Sequence, residues 1–301
     1  MKTAVLLMAY GSPTSMNDVY PYLQGIYHGR PVPEYALREN TEKYRMVNAI
    51  SPSNAILDST ISKLRKRIND KTIGVFLANK HWKPWISEVV KEISEHGYRD
   101  IIAVPLFPFR SHNVVESYAD PLKTIVERIA PQTNLTIVNG ISDNHSFTDM
   151  WANLIKNTDA YGAKDSQILF TAHSLPNSVR DEDEYDLAFH DAARNISKLS
   201  GIEEYKLSYQ SRGKYGDSWL GPSVYDVLKD VDITRKSRVI TVPIGFLYTH
   251  LEVLYDLDLE FGGKVREIGL QYMRTGLPDT SDDYIELLYS VIKGKLELDA
   301  D

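Results

Sequence analysis

Short apolar runs recur along the chain at Thr3–Ala9, Ile73–Ala78, Ile101–Phe107, Leu135–Val138, Gln167–Ala172, Tyr205–Tyr209 and Val239–Phe246. Each is nearly continuous in Val, Ile, Leu and Ala rather than alternating, as expected of strands covered on both faces. Between them the apolar positions switch to helical spacing at Ser53–Ile68, Trp85–His96, Tyr118–Ile129, Phe147–Lys156, Leu187–Leu199 and Ser281–Leu296. Strands alternating with helices predict an α/β fold with parallel sheets and crossover helices. The strands fall into two groups, so two Rossmann-like, doubly wound domains are expected, residues 1–142 and 143–301, with parallel sheets facing a central cleft. The helix at Ser281–Leu296 can pack back on the first domain.

In open α/β sheets ligands gather beyond the carboxyl ends of the strands. The polar residues that follow the strands here are Tyr10, Lys80 with His81, the Pro108–His112 turn, His173, the Gln210–Trp219 loop, and His250 with Glu252. No Gly-rich phosphate loop accompanies them: neither the dinucleotide pattern nor the P-loop pattern occurs, and the Gly-x-Ser-x-Gly elbow is missing.

Composition narrows the chemistry. With 41 acidic against 34 basic residues, a net charge of -7 and no Lys/Arg-rich run, a nucleic-acid surface is not expected. The absence of cysteine excludes disulfides and cysteine-ligated iron–sulfur clusters, which leaves His, carboxylate or Tyr for any metal. No run approaches the ~20 apolar residues that span a bilayer. The N-terminal apolar run reads as a buried strand and not as a signal peptide, so a soluble, cytoplasmic protein is expected.

The stretch Val239–Glu260 concentrates the charge. On a helix Glu252, Asp256 and Glu260 fall at i, i+4 and i+8, and each like-charged neighbour pair costs about 0.2–0.5 kcal/mol unless a cation compensates it. Glu252 has a local alternative, because Thr249-His-Leu-Glu252 spells a capping box. The two farther acids lack that explanation, although a solvated acidic face remains open for them. His173 lies just past a buried strand in Thr-Ala-His173-Ser-Leu-Pro, either as a base or metal ligand or as a strand-end histidine bonded to backbone. Lys80-His81-Trp82 offers a lining for an anionic aromatic ligand, or simple loop packing. The Asp181–Asp186 acidic cluster reads as exposed helix-start chemistry. Ser211–Pro222 is too rich in Gly and aromatics for a plain connector.

Taken together, Leu-Leu-Met-Ala-Tyr10-Gly-Ser-Pro, Ile50-Ser51-Pro52, Lys80-His81, Thr171-Ala-His173-Ser-Leu-Pro, Gln210-Ser211, Asp217-Ser-Trp219-Leu-Gly-Pro, Val242-Pro-Ile-Gly-Phe and His250-Leu-Glu-Val-Leu-Tyr-Asp256 resemble the ferrochelatases, which insert Fe²⁺ into a porphyrin. The resemblance runs nearly end to end. It implies a chelatase fold, a lyase of haem biosynthesis, and His173 and Glu252 as the catalytic and metal-facing pair, with Asp256 and Glu260 as a metal delivery or proton route. Tyr10 looks like the coproporphyrin III enzymes of Gram-positive bacteria, where the matching Tyr approaches the iron, which favours that ring and leaves protoporphyrin IX as the other candidate. Porphyrin contacts are implied for Tyr10, Arg30, Lys43, Tyr44, Ser51, Lys80, His81, Tyr118 and Trp219. Lys43 stands where that branch has Arg, a point charge in place of a bidentate clamp. The Phe107–His112 turn also departs from relatives, which are richer there in Ser and Thr, and Arg110 is a candidate for a propionate. The resemblance implies no cofactor, since iron is substrate, and it implies a monomer with a haem-accepting partner. The alternatives are a chelatase for another tetrapyrrole or metal, such as cobalt into sirohydrochlorin, and a non-catalytic haem or porphyrin carrier.

Overall fold

The computed structural model describes residues 2–48, 50–159, 162–177, 184–213 and 218–298. Two four-stranded parallel sheets organise it, giving an α/β fold. The first sheet runs β2-β1-β3-β4, from β1 (Thr3–Ala9), β2 (Ile73–Asn79), β3 (Asp100–Pro105) and β4 (Asn134–Ile137). The second runs β6-β5-β7-β8, from β5 (Ser166–His173), β6 (Tyr205–Gln210), β7 (Arg238–Val242) and β8 (Gln271–Arg274). The central strands β1 and β3 are apolar almost throughout, because helices cover both faces.

The helices are α1 (Val19–Ile26), α2 (Glu34–Met46), α3 (Ser53–Ile68), α4 (Ile86–Glu95), α5 (His112–Ile129), α6 (His145–Lys156), α7 (Tyr185–Ser200), α8 (Val224–Lys229), α9 (Gly262–Glu267) and α10 (Asp282–Leu298). A π-helix, Val253–Phe261, precedes α9. The chain divides into two compact units, one of residues 1–106, 113–140 and 279–301, the other of residues 107–112 and 141–278. In the first, Leu6, Met8, Ile101 and Ala103 pack with Val90, Ile93 and Leu122 of α4 and α5. In the second, Leu169 and Val239 pack with Val227 of α8, Leu257 and Phe261 of the π-helix, and Val265.

The two units interleave along the chain and do not meet at one boundary. Residues 107–112 belong to the second unit because Phe109, fully buried, lies 5.6 Å from the rings of both Tyr185 and Phe189. Residues from 279 on belong to the first, where Lys63 of α3 donates to the Thr280 carbonyl at 2.6 Å and α10 buries Tyr284, Leu287 and Leu288. Sequence periodicity also passes over α2, whose only buried side chains are Ala36 and Tyr44, and over β8, a four-residue strand with an exposed first position. The predicted Val239–Phe246 strand stops at Val242, since Pro243 has no N–H for the ladder.

Candidate active site

In the second unit the chemistry gathers where β5 and β7 end. His173 is the final residue of β5, held there by the Tyr185 hydroxyl, which donates to its carbonyl at 2.7 Å. Its Nδ1 donates to the Ser174 carbonyl at 2.6 Å. That bond fixes the tautomer, so in the neutral ring the lone pair is on Nε2. Nε2 lies 3.5 Å from Glu252 Oε2, with His173 29% and Glu252 41% exposed. A lone pair and a carboxylate facing each other at that separation favour a cation between or beside them, a proton or a metal. The two readings of His173 thus describe opposite edges of one ring.

The approach of these residues depends on Gly245. Its N–H donates to Thr171 O at 3.1 Å, and a Cβ there would lie 2.7 Å from the Cα of Ala172. The turn after β7 therefore lies against the end of β5, and the chain re-enters helix at Leu251. At this helix start the Glu252 N–H donates to His250 Nδ1 at 3.2 Å. His250 thus acts as an acceptor in the role the capping-box reading gave to Thr249. His250 is half-buried, yet enclosure by protein draws its pKa down to about 3, with His173 and Arg274 acting in the same direction. It stays neutral and keeps its acceptor.

Beyond Glu252 the helix is π, not α. Four residues slightly exceed an α turn and slightly fall short of a π turn, so Glu252, Asp256 and Glu260 still follow one side. Asp256 is buried and accepts from the Ser211 hydroxyl, while Glu260 is exposed. Ser211 takes a left-handed backbone, φ 57°, to reach it. Tyr225 lies beside this row, its hydroxyl pushed well above the usual tyrosine range by burial and then by Glu260 and Asp256.

Trp219 is placed by lacing between its loop and the segment after β5. Ser174 Oγ donates to Leu220 O at 2.8 Å, Leu220 N–H donates to Leu175 O at 2.8 Å, and Pro176 bridges Trp219. Asp217, in the motif, lies outside the described residues, as do Lys214–Gly216 and most of the acidic cluster, Asp181–Asp183. Arg110 pairs with Asp143 at 2.9 Å and Glu184 at 3.4 Å, so its charge is matched within its own unit and the propionate role is not needed to explain it.

In the first unit the residues after β1 and β2 converge. Tyr10, 42% exposed, lies 4.5 Å ring to ring from His81. Lys80 and His81 donate their backbone N–H groups to Ala9 and Tyr10, fixing both strand ends together. His81 is buried with Nδ1 3.3 Å from the Gly25 carbonyl, and burial, with Lys80 beside it, lowers its pKa to about 4. Burial also lowers the pKa of Lys80, whose ammonium sits 5.0 Å from the centre of the Tyr118 ring. Tyr44 and Ser12 hydroxyls lie 3.5 Å apart, and Ser51 donates to Ser53 at 3.0 Å. Arg30 donates to Tyr27 O at 3.1 Å, and Lys43 Nζ lies 3.9 Å from a Glu39 carboxylate oxygen. His28, 5.9 Å from His81, went unnoticed in the sequence because a lone histidine among tyrosines carries no spacing signal.

Among the described residues no group of three or more His, Asp or Glu side chains forms a ready-made metal cage, and no helix is long and apolar enough to cross a membrane. Two parallel sheets, with an accessible His–carboxylate pair at the carboxyl end of one of them, are thus the frame and the candidate site of this protein. Solved structures agree on the fold: SirB from Bacillus subtilis with Fe³⁺ has a TM-score of 0.64 at 11% identity, covering 97% of this chain and 95% of that one. The family model Ferrochelatase matches residues 2–296, and the chain belongs to the ferrochelatase family. A relative from Thermoplasma acidophilum named ferrochelatase is 42% identical, with 96% of this chain and 89% of the relative covered. The coproporphyrin III ferrochelatase of Bacillus subtilis strain 168 is 31% identical over 98% of each chain.

Proposed function

We propose that this chain inserts Fe²⁺ into coproporphyrin III, with His173 and Glu252 as the catalytic pair. The observation that carries the reading is the His173 ring, whose Nδ1 is committed to Ser174 O while Nε2 faces Glu252 at 3.5 Å. Insertion exchanges two pyrrole N–H protons for one Fe²⁺. His173 Nε2 takes one proton and Glu252 the other, each able to hold the incoming metal before the ring does. The carboxylate also stabilises the imidazolium it faces. Asp256 and Glu260 continue the negative row as the route for hydrated iron inward or protons outward. Iron is written here as substrate.

The macrocycle is assigned to Tyr10, Lys80, His81, Tyr118, Tyr44, Ser51 and Trp219, with Arg30 and Lys43 supplying positive charge for its carboxylates. Tyr10, exposed beside His81, and the similarity to relatives named coproporphyrin III ferrochelatases support that ring over protoporphyrin IX. The same reading makes the protein a cytoplasmic monomer that passes haem to an acceptor.

Purified protein supplied with Fe²⁺ and either ring, followed by visible absorption, tests the assignment. Faster turnover of coproporphyrin III is expected. Preference for protoporphyrin IX overturns the choice of ring, and binding without turnover returns the protein to the carrier class. His173→Ala should abolish insertion while porphyrin still quenches intrinsic fluorescence at unchanged affinity; an active variant removes His173 from the chemistry.

A further inference from the structure

The π-helix Val253–Phe261 needs something to hold its register, because a nine-residue π run is rare and usually relaxes to a single widened turn. Its front is the acidic row. Asp258 sits two residues beyond Asp256, close to half a turn away, and therefore on the back. There it meets Arg274, the last residue of β8, in a two-pronged pair: Nε donates to Oδ1 at 2.8 Å and Nη2 to Oδ2 at 3.0 Å. The pair is well covered, Arg274 being 17% and Asp258 29% exposed. The third arm, Nη1, donates to the Thr275 carbonyl at 2.8 Å, so the guanidinium is fixed on the strand before it grips the helix. The Tyr272 hydroxyl adds a donor 3.4 Å from Asp258 Oδ1, and Arg266 Nη2 donates to the Asp258 carbonyl at 3.2 Å.

We propose that Arg274 is a positioning residue for metal delivery: by clamping Asp258 it fixes the rotation of the π-helix about its axis and so holds Asp256 and Glu260 on one side in line with Glu252. A one-residue slip rotates the side chains of such a helix by roughly 80–100°, which would take Asp256 off Ser211 and break the row. The planar fork is what makes the lock rotational as well as electrostatic, since an ammonium holds a carboxylate at a point. The clamp also keeps the Asp258 charge neutralised and away from the row.

This inference rests on the reading of Asp256 and Glu260 as the iron route, and the experiment separates the two. Three variants are compared with the parent: Arg274→Lys, Asp258→Asn, and the control Asp256→Asn with Glu260→Gln. Each is assayed for the apparent KM of Fe²⁺, for kcat and for the porphyrin Kd by fluorescence quenching, with far-ultraviolet circular dichroism confirming the fold. The clamp predicts a rise of about 10-fold or more in the Fe²⁺ KM for Arg274→Lys and Asp258→Asn, a magnitude usual for residues that orient ligands, with the porphyrin Kd within about two-fold of the parent. If the control raises the Fe²⁺ KM and the folded Arg274→Lys does not, the clamp is wrong and the iron route stands. If the control leaves the Fe²⁺ KM unchanged, the route falls and the clamp's purpose with it. Parallel loss of porphyrin and iron affinity in Arg274→Lys reduces Arg274 to a structural residue and overturns the proposal.

Discussion

At the scale of single residues, two histidines enclosed by protein, buried His81 and half-buried His250, make stability depend on acid. His81 and His250 have pKa values near 4 and 3, against 6.5 in an unfolded chain. Above 6.5 both states are neutral and nothing is lost. Below it the unfolded chain takes up protons that the folded one refuses, so stability falls with pH until the folded values are reached. Each histidine contributes at most about 1.4 kcal/mol per pH unit in that window. Urea unfolding should therefore show the parent less stable at pH 5.5 than at 7.5, by roughly 1 kcal/mol for each histidine after allowance for partial solvation. In His81→Gln the difference should shrink by one histidine's share; an equal drop in that variant would show that His81 does not carry it. Asp226, held near 2 by Ser223 and Lys229, titrates too low to interfere.

At the scale of elements, the seam between β5 and the turn after β7 decides whether His173 and Glu252 meet. Gly245→Ala places a methyl 2.7 Å from the Ala172 Cα, next to His173, so backbone must move on one side or the other. Overpacking of this kind costs about 1–3 kcal/mol, and a shift of ~1 Å between His173 and Glu252 lowers rate by as much as 100-fold. A lower thermal midpoint together with a reduced kcat is expected; full activity in the variant would show that the pair tolerates a looser seam. Sequence pattern had made this seam partly legible. The central strands declared themselves as continuous apolar runs, and the His-Ser-Leu-Pro and His-Leu-Glu segments stood where strands end. It was silent on α2 because a mostly exposed helix has no apolar stripe to read. The π character of Val253–Phe261 was invisible as well, since spacing of four residues fits both kinds of helix and the choice rests on partners such as Arg274, in a strand too short to notice. Ser211 stands in the Gln210-Ser211 motif, but its bond to Asp256 is not legible there, because a left-handed serine leaves no mark that a glycine would.

For the whole molecule, α10 is the element on which the first unit depends from farthest along the chain. Tyr284, Leu287, Leu288 and Ile292 are almost wholly inaccessible, and each such side chain contributes roughly 1.5–3 kcal/mol by burial. The exposed pair between Arg67 and Glu286, screened by water, adds much less. Removal of residues 281–301 should therefore leave protein that aggregates or binds a hydrophobic dye at 25 °C, whereas Glu286→Gln should shift the thermal midpoint by no more than a few degrees. A well-folded truncation would mean that α3 needs no cover from α10.

That arrangement also orders events during synthesis. Residues 141–278 emerge from the ribosome and can close their own sheet before α10 exists, while the unit begun first waits with an uncovered face on α3. At about 5–20 residues per second, the wait from residue 140 to residue 298 is roughly 10–30 s, long enough for exposed apolar surface to attract chaperones or a second chain. The unit that starts first is thus finished last.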